Sequence, residues 1–190
     1  MDMERLRPYF WEIQHCERLW ELHLSSPNGK SDYSGCHFIS ANHGRHDINE
    51  LAALLKQEKR LGGWKSGRQL IGKRGVTVAW LGDLPTALYP GKPFDHSAAV
   101  IIPNDESHLE ALWCFCSDPV FRQEVRKIDQ KAQVANTSFV KVPFDLEYWQ
   151  KVAAEKYPDG LPKPFSSDAT QWLFNGHPAG ADQPLHVAVG

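Results

Sequence analysis

The chain has 190 residues, and its 42% hydrophobic content, with seven tryptophans, provides enough apolar surface for a folded core. Lys and Arg number 21 against 23 Asp and Glu, so the formal net charge is −2. This excludes the strongly basic total of many nucleic-acid binders but leaves a local basic patch open. The sequence has no run of 18 apolar residues, so it predicts no membrane-spanning helix. The charged N-terminus lacks the apolar segment of a signal peptide. We therefore expect a cytoplasmic protein whose four cysteines are free thiols.

Residues 1–70 are predicted to form a helical N-terminal segment. Apolar residues at steps of three and four predict a helix over residues 1–24, and a short strand is expected over residues 36–40. Asp47 then has the character of an N-cap, and the pair Gly62-Gly63 is a helix stop signal. A second helix is therefore predicted between them.

Residues 71–157 are predicted to form the folded core. Small, β-branched and aromatic residues alternate over residues 76–81, which indicates a strand. The prolines between residues 85 and 93 indicate a loop without a long regular element. The continuous apolar run of residues 98–102 then predicts a strand that is buried on both faces.

The core continues after Pro103 with two helices and a returning strand. Asn104 or Asp105 is expected to cap the first helix, with Leu109, Leu112, Trp113 and Cys116 inward, and Ser117-Asp118-Pro119 restarts the second. The apolar residues 139–142 predict a strand that ends at Pro143.

The C-terminal part is predicted as one more helix and an arm. Asp145 is expected to cap the helix, with Tyr148, Trp149 and Val152 on its buried side. Dense Pro and Gly over residues 158–190 indicate an extended arm. The predicted fold class is α+β, a small sheet with packed helices.

Two stretches carry the cations that a nucleic-acid contact needs. One is the basic run Lys56–Arg74. The other is the segment 122–141, in which the cationic face of the second core helix is followed by the polar loop Gln133–Ser138. Charge alone favours a solvated helix face with scattered salt bridges, because surface helices are usually charged.

Catalytic and metal-binding motifs are missing from the sequence. There is no CxxC pair, HExxH, GxSxG or P-loop, and no GxGxxG follows a predicted strand. Cys114 and Cys116 are two residues apart, which places their thiols roughly 200° apart around a helix. We expect no catalytic residue, no metal and no cofactor in this chain.

A long ordered string carries a family resemblance. The runs PFDHSAAVIIPND, LEALWCFCSDPVF and VRKIDQKAQVANTSFVKVPFDLEYWQKVAAEKYPDGLPKPFSSDATQWLFNGHP resemble the C-terminal part of large adenine-specific DNA methyltransferases. These belong to restriction-modification and phage-defence systems, the Eco57I-like, type IIG and BREX or DISARM group. The resemblance covers residues 72–189 and is much weaker over residues 1–70.

The resemblance implies a target recognition domain that binds double-stranded DNA. In this family a separate N-terminal domain flips and methylates an adenine. Its (N/D)PPY motif and glycine-rich S-adenosylmethionine loop have no match here, so the resemblance implies a fragment that is inactive by itself. S-adenosylmethionine would belong to the missing catalytic domain, and the arm is expected to be truncated at Gly190. The alternatives are a protein-interaction piece that complements a separately encoded methyltransferase domain, or an inactive gene remnant.

The resemblance also gives the charged segment a possible role as a DNA surface. Its cations would position phosphates, and its amide and hydroxyl side chains, Gln133, Asn136 and Thr137, would read base edges. The candidate DNA-binding residues are Lys73, Arg74, Arg122, Arg126, Lys127, Lys131, Gln133, Asn136, Thr137 and Lys141.

Overall fold

The structure, a computed structural model, describes residues 20–29, 32–34, 38–41, 53–59 and 67–163. Most of the helix predicted for residues 1–24, the ends of the helix predicted from Asp47 and residues 164–190 of the predicted arm lie outside these ranges. Within them the fold class is α+β, because a small antiparallel sheet packs with helices, as the sequence predicts.

A two-stranded antiparallel pair precedes the main sheet. Strand β1, Trp20–His23, pairs with β2, Phe38–Ala41, and β2 confirms the strand predicted near that position. The predicted helix is wrong at residues 20–23. There the backbone pairs with β2, and the next residue, Leu24, bridges to Phe94 with hydrogen bonds to Pro93 and Asp95. Long-range pairing here overrides the local helical spacing.

The main sheet has three antiparallel strands in the order β4-β3-β5. Strand β3, Gly75–Ala79, is central and fully buried, and β5, Ala98–Ile101, is one edge. Both confirm predicted strands. Strand β4, Thr86–Tyr89, is the other edge, which the proline-rich sequence did not predict. The prolines flank this strand, where they cost no ladder hydrogen bond.

Both faces of the sheet are covered by apolar side chains. Val76 and Val78 face the main core, which contains the helices. Leu24 and Tyr89 form a smaller cluster, against which Val100 packs. Strand β5 therefore packs on both faces as predicted, although its last two residues are only half-buried because it is an edge strand.

Within the described residues, four α-helices follow the sheet: α1, Leu109–Ser117; α2, Pro119–Ile128; α3, Asn136–Phe139; and α4, Leu146–Lys156. The predicted caps Asp105 and Asp145 are confirmed, Asp118 caps the predicted restart at α2, and the predicted cap Asp47 lies outside the described residues. The Asp118 side chain accepts a hydrogen bond from Val120 N at 2.8 Å, and Asp145 accepts one from Tyr148 N at 3.0 Å. Asp105 caps a 3-10 turn that leads into α1.

The inward faces of α1 and α4 meet around an aromatic cluster. Phe115 lies 5.3 Å from Phe121, 5.2 Å from Phe144 and 5.4 Å from Trp149, measured between ring centroids. Tyr148 was predicted to be buried but is exposed, because Trp149 takes the core position in this turn of α4.

No helix in the described ranges is both long and apolar enough to cross a membrane.

The strand predicted over residues 139–142 is wrong. Residues 136–139 form the short helix α3, and the next residues form a turn. The cause is local hydrogen bonding: the Asp129 carboxylate accepts hydrogen bonds from Ala135 N and from the Ser138 hydroxyl, both at 3.0 Å, which curls the chain. Phe139 then enters the core and stacks on Phe121.

Candidate nucleic-acid interface

Residues 129–137 run from the end of α2 into the first turn of α3 and form a polar segment that hydrogen bonds hold in place. Besides Ala135 and Ser138, the Asp129 carboxylate accepts a hydrogen bond from Lys131 N at 3.2 Å. These hydrogen bonds hold the pKa of the Asp129 carboxyl below its usual range. The bond from Ala135 N has the largest effect, followed by those from Lys131 N and the Ser138 hydroxyl. The ionised carboxylate therefore fixes the backbone of the segment.

Val134 anchors the same segment to the core. Its side chain is only 1% exposed and belongs to the main apolar cluster. Its backbone N–H donates to the carbonyl of Trp80, just beyond β3, at 3.0 Å. The polar segment is thus attached to the sheet by one buried side chain and one hydrogen bond.

The side chains proposed to read bases remain in solvent. Gln133, Asn136 and Thr137 are all exposed, and none of them makes a side-chain hydrogen bond within the described part of the chain. A fixed backbone with exposed amide and hydroxyl groups is chemically suited to pairing with base edges. The structure therefore brings these three predicted residues together on one segment.

Arg122 and Arg126 have intramolecular partners. Arg126 donates from Nη2 to the carbonyl of Gly82 at 2.8 Å and from Nη1 to the carbonyl of Lys131 at 2.5 Å. Arg122 forms an ion pair with Asp83 at 2.7 Å. Two of these three partners, Gly82 and Asp83, lie in the β3–β4 turn, residues 80–85, and the third, Lys131, lies on the polar segment. The two arginines therefore hold this turn against α2 and the polar segment.

A shallow groove of about 420 Å³ lies beside these arginines. Pro119, Arg122, Gln123 and Arg126 line it, and they share one face of α2 at helical spacing. Each guanidinium carries five N–H donors, so its bonds to the turn leave others for a ligand.

The remaining cations differ in their surroundings. Lys127 pairs with Glu124 one turn earlier on α2. Lys141 is exposed in the turn after α3, where its N–H donates to the carbonyl of Ser138. The predicted segment contributes five cations, and three carboxylates lie on it or contact it, which leaves a local excess of two positive charges. Those carboxylates belong to Asp83, Glu124 and Asp129.

Lys73 and Arg74 are not brought to this surface. They precede β3, whereas Gly82 and Asp83 follow it, so the length of a five-residue strand, roughly 16 Å, separates the two groups. Arg74 instead lies 4.0 Å from Glu106 at the opposite end of the sheet.

A second concavity, about 700 Å³, is lined in part by the β3–β4 turn. Its walls also include Tyr33, Trp113 and Cys116, and both members of the Arg122–Asp83 ion pair line it. Burial raises the pKa of Tyr33, whose hydroxyl donates to the carbonyl of Pro162 at 2.9 Å.

In the part of the chain that the structure describes, no group of three or more His, Cys, Asp or Glu residues could hold a metal ion.

Sequence reasoning missed the residues that brace the site. Asp129 directly follows the last residue of α2, and Asp commonly bonds nearby backbone N–H groups outside helices. That preference was a usable signal for Asp129. The anchoring role of Val134 and the pairing of Asp83 had no local signal, because their partners lie far away in sequence.

Neither a protein-family model nor a curated protein sequence matches this chain.

Proposed function

We propose that this chain is a DNA target-recognition fragment of an adenine-specific DNA methyltransferase from a restriction-modification or phage-defence system. Residues 71–157 would be a target-recognition-like core, followed by an extended arm over residues 158–190. Methyl transfer, with S-adenosylmethionine, would belong to a separate catalytic domain. The fragment would act in the cytoplasm on double-stranded DNA.

The observation that carries the proposal is the bracing of the polar segment. Asp129 and Val134 fix its backbone, while Gln133, Asn136 and Thr137 keep their polar groups in solvent. A binding loop that is already ordered loses less conformational entropy on contact with its ligand. Such a segment presents hydrogen-bonding groups to base edges in a defined register.

Phosphate contacts are assigned to the cations around this segment. Lys131 lies on the segment, Lys141 follows it, and the Arg122–Arg126 groove lies beside it. Because the local charge excess is small, we expect about three phosphate contacts. The logarithm of the association constant should then fall with the logarithm of the salt concentration with a slope of about −3.

Fluorescence anisotropy with a labelled 30-base-pair duplex at rising salt tests this proposal. Lys131→Ala should reduce the magnitude of the salt slope by about one. Lys151→Ala, which changes an exposed lysine of α4, is the matched control and should bind as the unmodified chain does. Absence of binding at low salt, or a salt-independent affinity, would refute the proposal.

Base reading is tested separately by selection from a random duplex pool. The unmodified chain should enrich one short motif. The double variant Asn136→Ala, Thr137→Ala should enrich none while keeping its salt slope, because these side chains carry sequence information and no charge. If both proteins enrich the same motif, base reading does not belong to this segment.

A protein-interaction piece is the second candidate, and two exposed aromatic side chains favour it. Phe144 and Tyr148 are exposed, and each contacts a buried ring of the aromatic cluster. Exposed aromatic residues are enriched at protein interfaces. Size-exclusion chromatography of the chain with a separately encoded methyltransferase domain distinguishes the candidates: a complex that Tyr148→Ala disrupts, without DNA affinity, would support interaction.

A further inference from the structure

The β3–β4 turn has an unusual backbone for its residues. Leu84 has a φ of 51° although it is not glycine, and its side chain is buried. Left-handed backbone is unfavourable for such a residue and persists only where the surroundings impose it. Here the turn is closed by hydrogen bonds from Leu84 N to the Leu81 carbonyl and from Ala79 N to the Pro85 carbonyl.

Several long-range contacts hold this turn in place. Arg126 bonds the Gly82 carbonyl, Arg122 pairs with Asp83, and Val134 bonds the Trp80 carbonyl. Three of the first four positions after β3, Trp80, Gly82 and Asp83, are therefore fixed from α2 and the polar segment, and Leu81 is the fourth. The turn is a rigid projection from the edge of the candidate DNA surface.

Leu81 is the apolar residue that this projection exposes. Its side chain is 59% exposed, whereas Leu84 of the same turn is buried. A single exposed leucine is ordinary on a protein surface. This one differs because it lies on a strained turn whose other residues bond both to the arginines of the groove and to the polar segment.

We propose that Leu81 is a wedge that enters between two stacked base pairs, while the adjacent phosphate occupies the Arg122–Arg126 groove. This inference rests on the proposed function. Apolar side chains inserted between base steps are a known means of kinking DNA, and cations beside them hold the strained backbone. The neighbouring guanidinium groups favour DNA over a protein partner at this position, because they pair with phosphate oxygens.

A wedge binds more tightly where stacking is already weakened, because part of the unstacking cost is then absent. The experiment measures the affinity for a fully paired 30-base-pair duplex and for the same duplex with one central mismatch. The unmodified chain should prefer the mismatch about five- to tenfold. Leu81→Ala should lower this preference to less than twofold, and 2-aminopurine beside the mismatch should brighten only with the unmodified chain.

Leu54→Ala is the matched control, because Leu54 is also a leucine and is 56% exposed. It should keep the full mismatch preference. If the unmodified chain binds both duplexes equally, or if Leu81→Ala keeps the preference, the wedge is refuted while the proposed function stands. No binding to either duplex refutes both. Loss of a complex with a methyltransferase domain in Leu81→Ala, with mismatch preference kept, would assign Leu81 to a protein contact.

Discussion

Val134→Ala should lower the free energy of unfolding by about 2–3 kcal/mol. The side chain is 1% exposed within the main core, so the substitution removes two buried carbon groups. Their transfer to water accounts for about 1.6 kcal/mol. The cavity left behind, which the surrounding side chains only partly fill, raises the total to about 2–3 kcal/mol.

Urea unfolding followed by tryptophan fluorescence measures this loss, and thermal unfolding should show a Tm lower by about 4–12 °C. Val140→Ala is a matched control from the same part of the chain, because Val140 is 73% exposed. It should change stability by less than about 0.5 kcal/mol. Equal effects of the two substitutions would refute the conclusion that the core anchors the polar segment through Val134.

Two further predictions concern titratable groups. Hydrogen bonds lower the pKa of Asp129 in the folded chain, so its contribution to stability is present above the unfolded value of about 3.9 and is lost as the pH falls through the folded pKa. In urea unfolding, Asp129→Asn should therefore be less stable than the unmodified chain at pH 7, and the difference should shrink at pH 2–3; a difference equal at both pH values would contradict this account. Burial raises the pKa of the Cys114 and Cys116 thiols, so alkylation by iodoacetamide at pH 8, measured by peptide mass spectrometry, should be much slower in buffer than in urea. Equal rates would show that α1 does not protect them.

Features fixed by nearby residues were predictable from the sequence. Asp105, Asp118 and Asp145 were each expected near a helix start, and each accepts a hydrogen bond from a backbone N–H two or three residues later. Such caps need no distant partner. The strand beginning at Gly75 and the strand beginning at Ala98 were also predictable, because their apolar residues are consecutive or alternate.

Features fixed by distant residues were not predictable in the same way. Trp20–His23 is a strand because Phe38–Ala41 pairs with it. Thr86–Tyr89 is a strand because β3 lies beside it, although prolines suggested a loop. The helix at Asn136–Phe139 depends on the Asp129 carboxylate, and apolar content alone suggested a strand there. Tertiary contacts decide these cases over weak local preferences.

The arginines show how the same limit affects the candidate site. Sequence spacing treats Arg122, Arg126 and Lys131 alike, as cations near one helix face. In the structure Arg126 joins the β3–β4 turn to the polar segment through two carbonyls, and Arg122 pairs with Asp83. Replacing Arg126 would therefore remove a brace together with a possible phosphate contact, and a loss of DNA affinity would have two physical causes. The Lys131 side chain makes none of the hydrogen bonds that brace the segment. Its backbone N–H donates to the Asp129 carboxylate, and its backbone carbonyl accepts from Arg126. Lys131→Ala consequently changes charge while it preserves the bracing, so its salt slope tests phosphate contact directly.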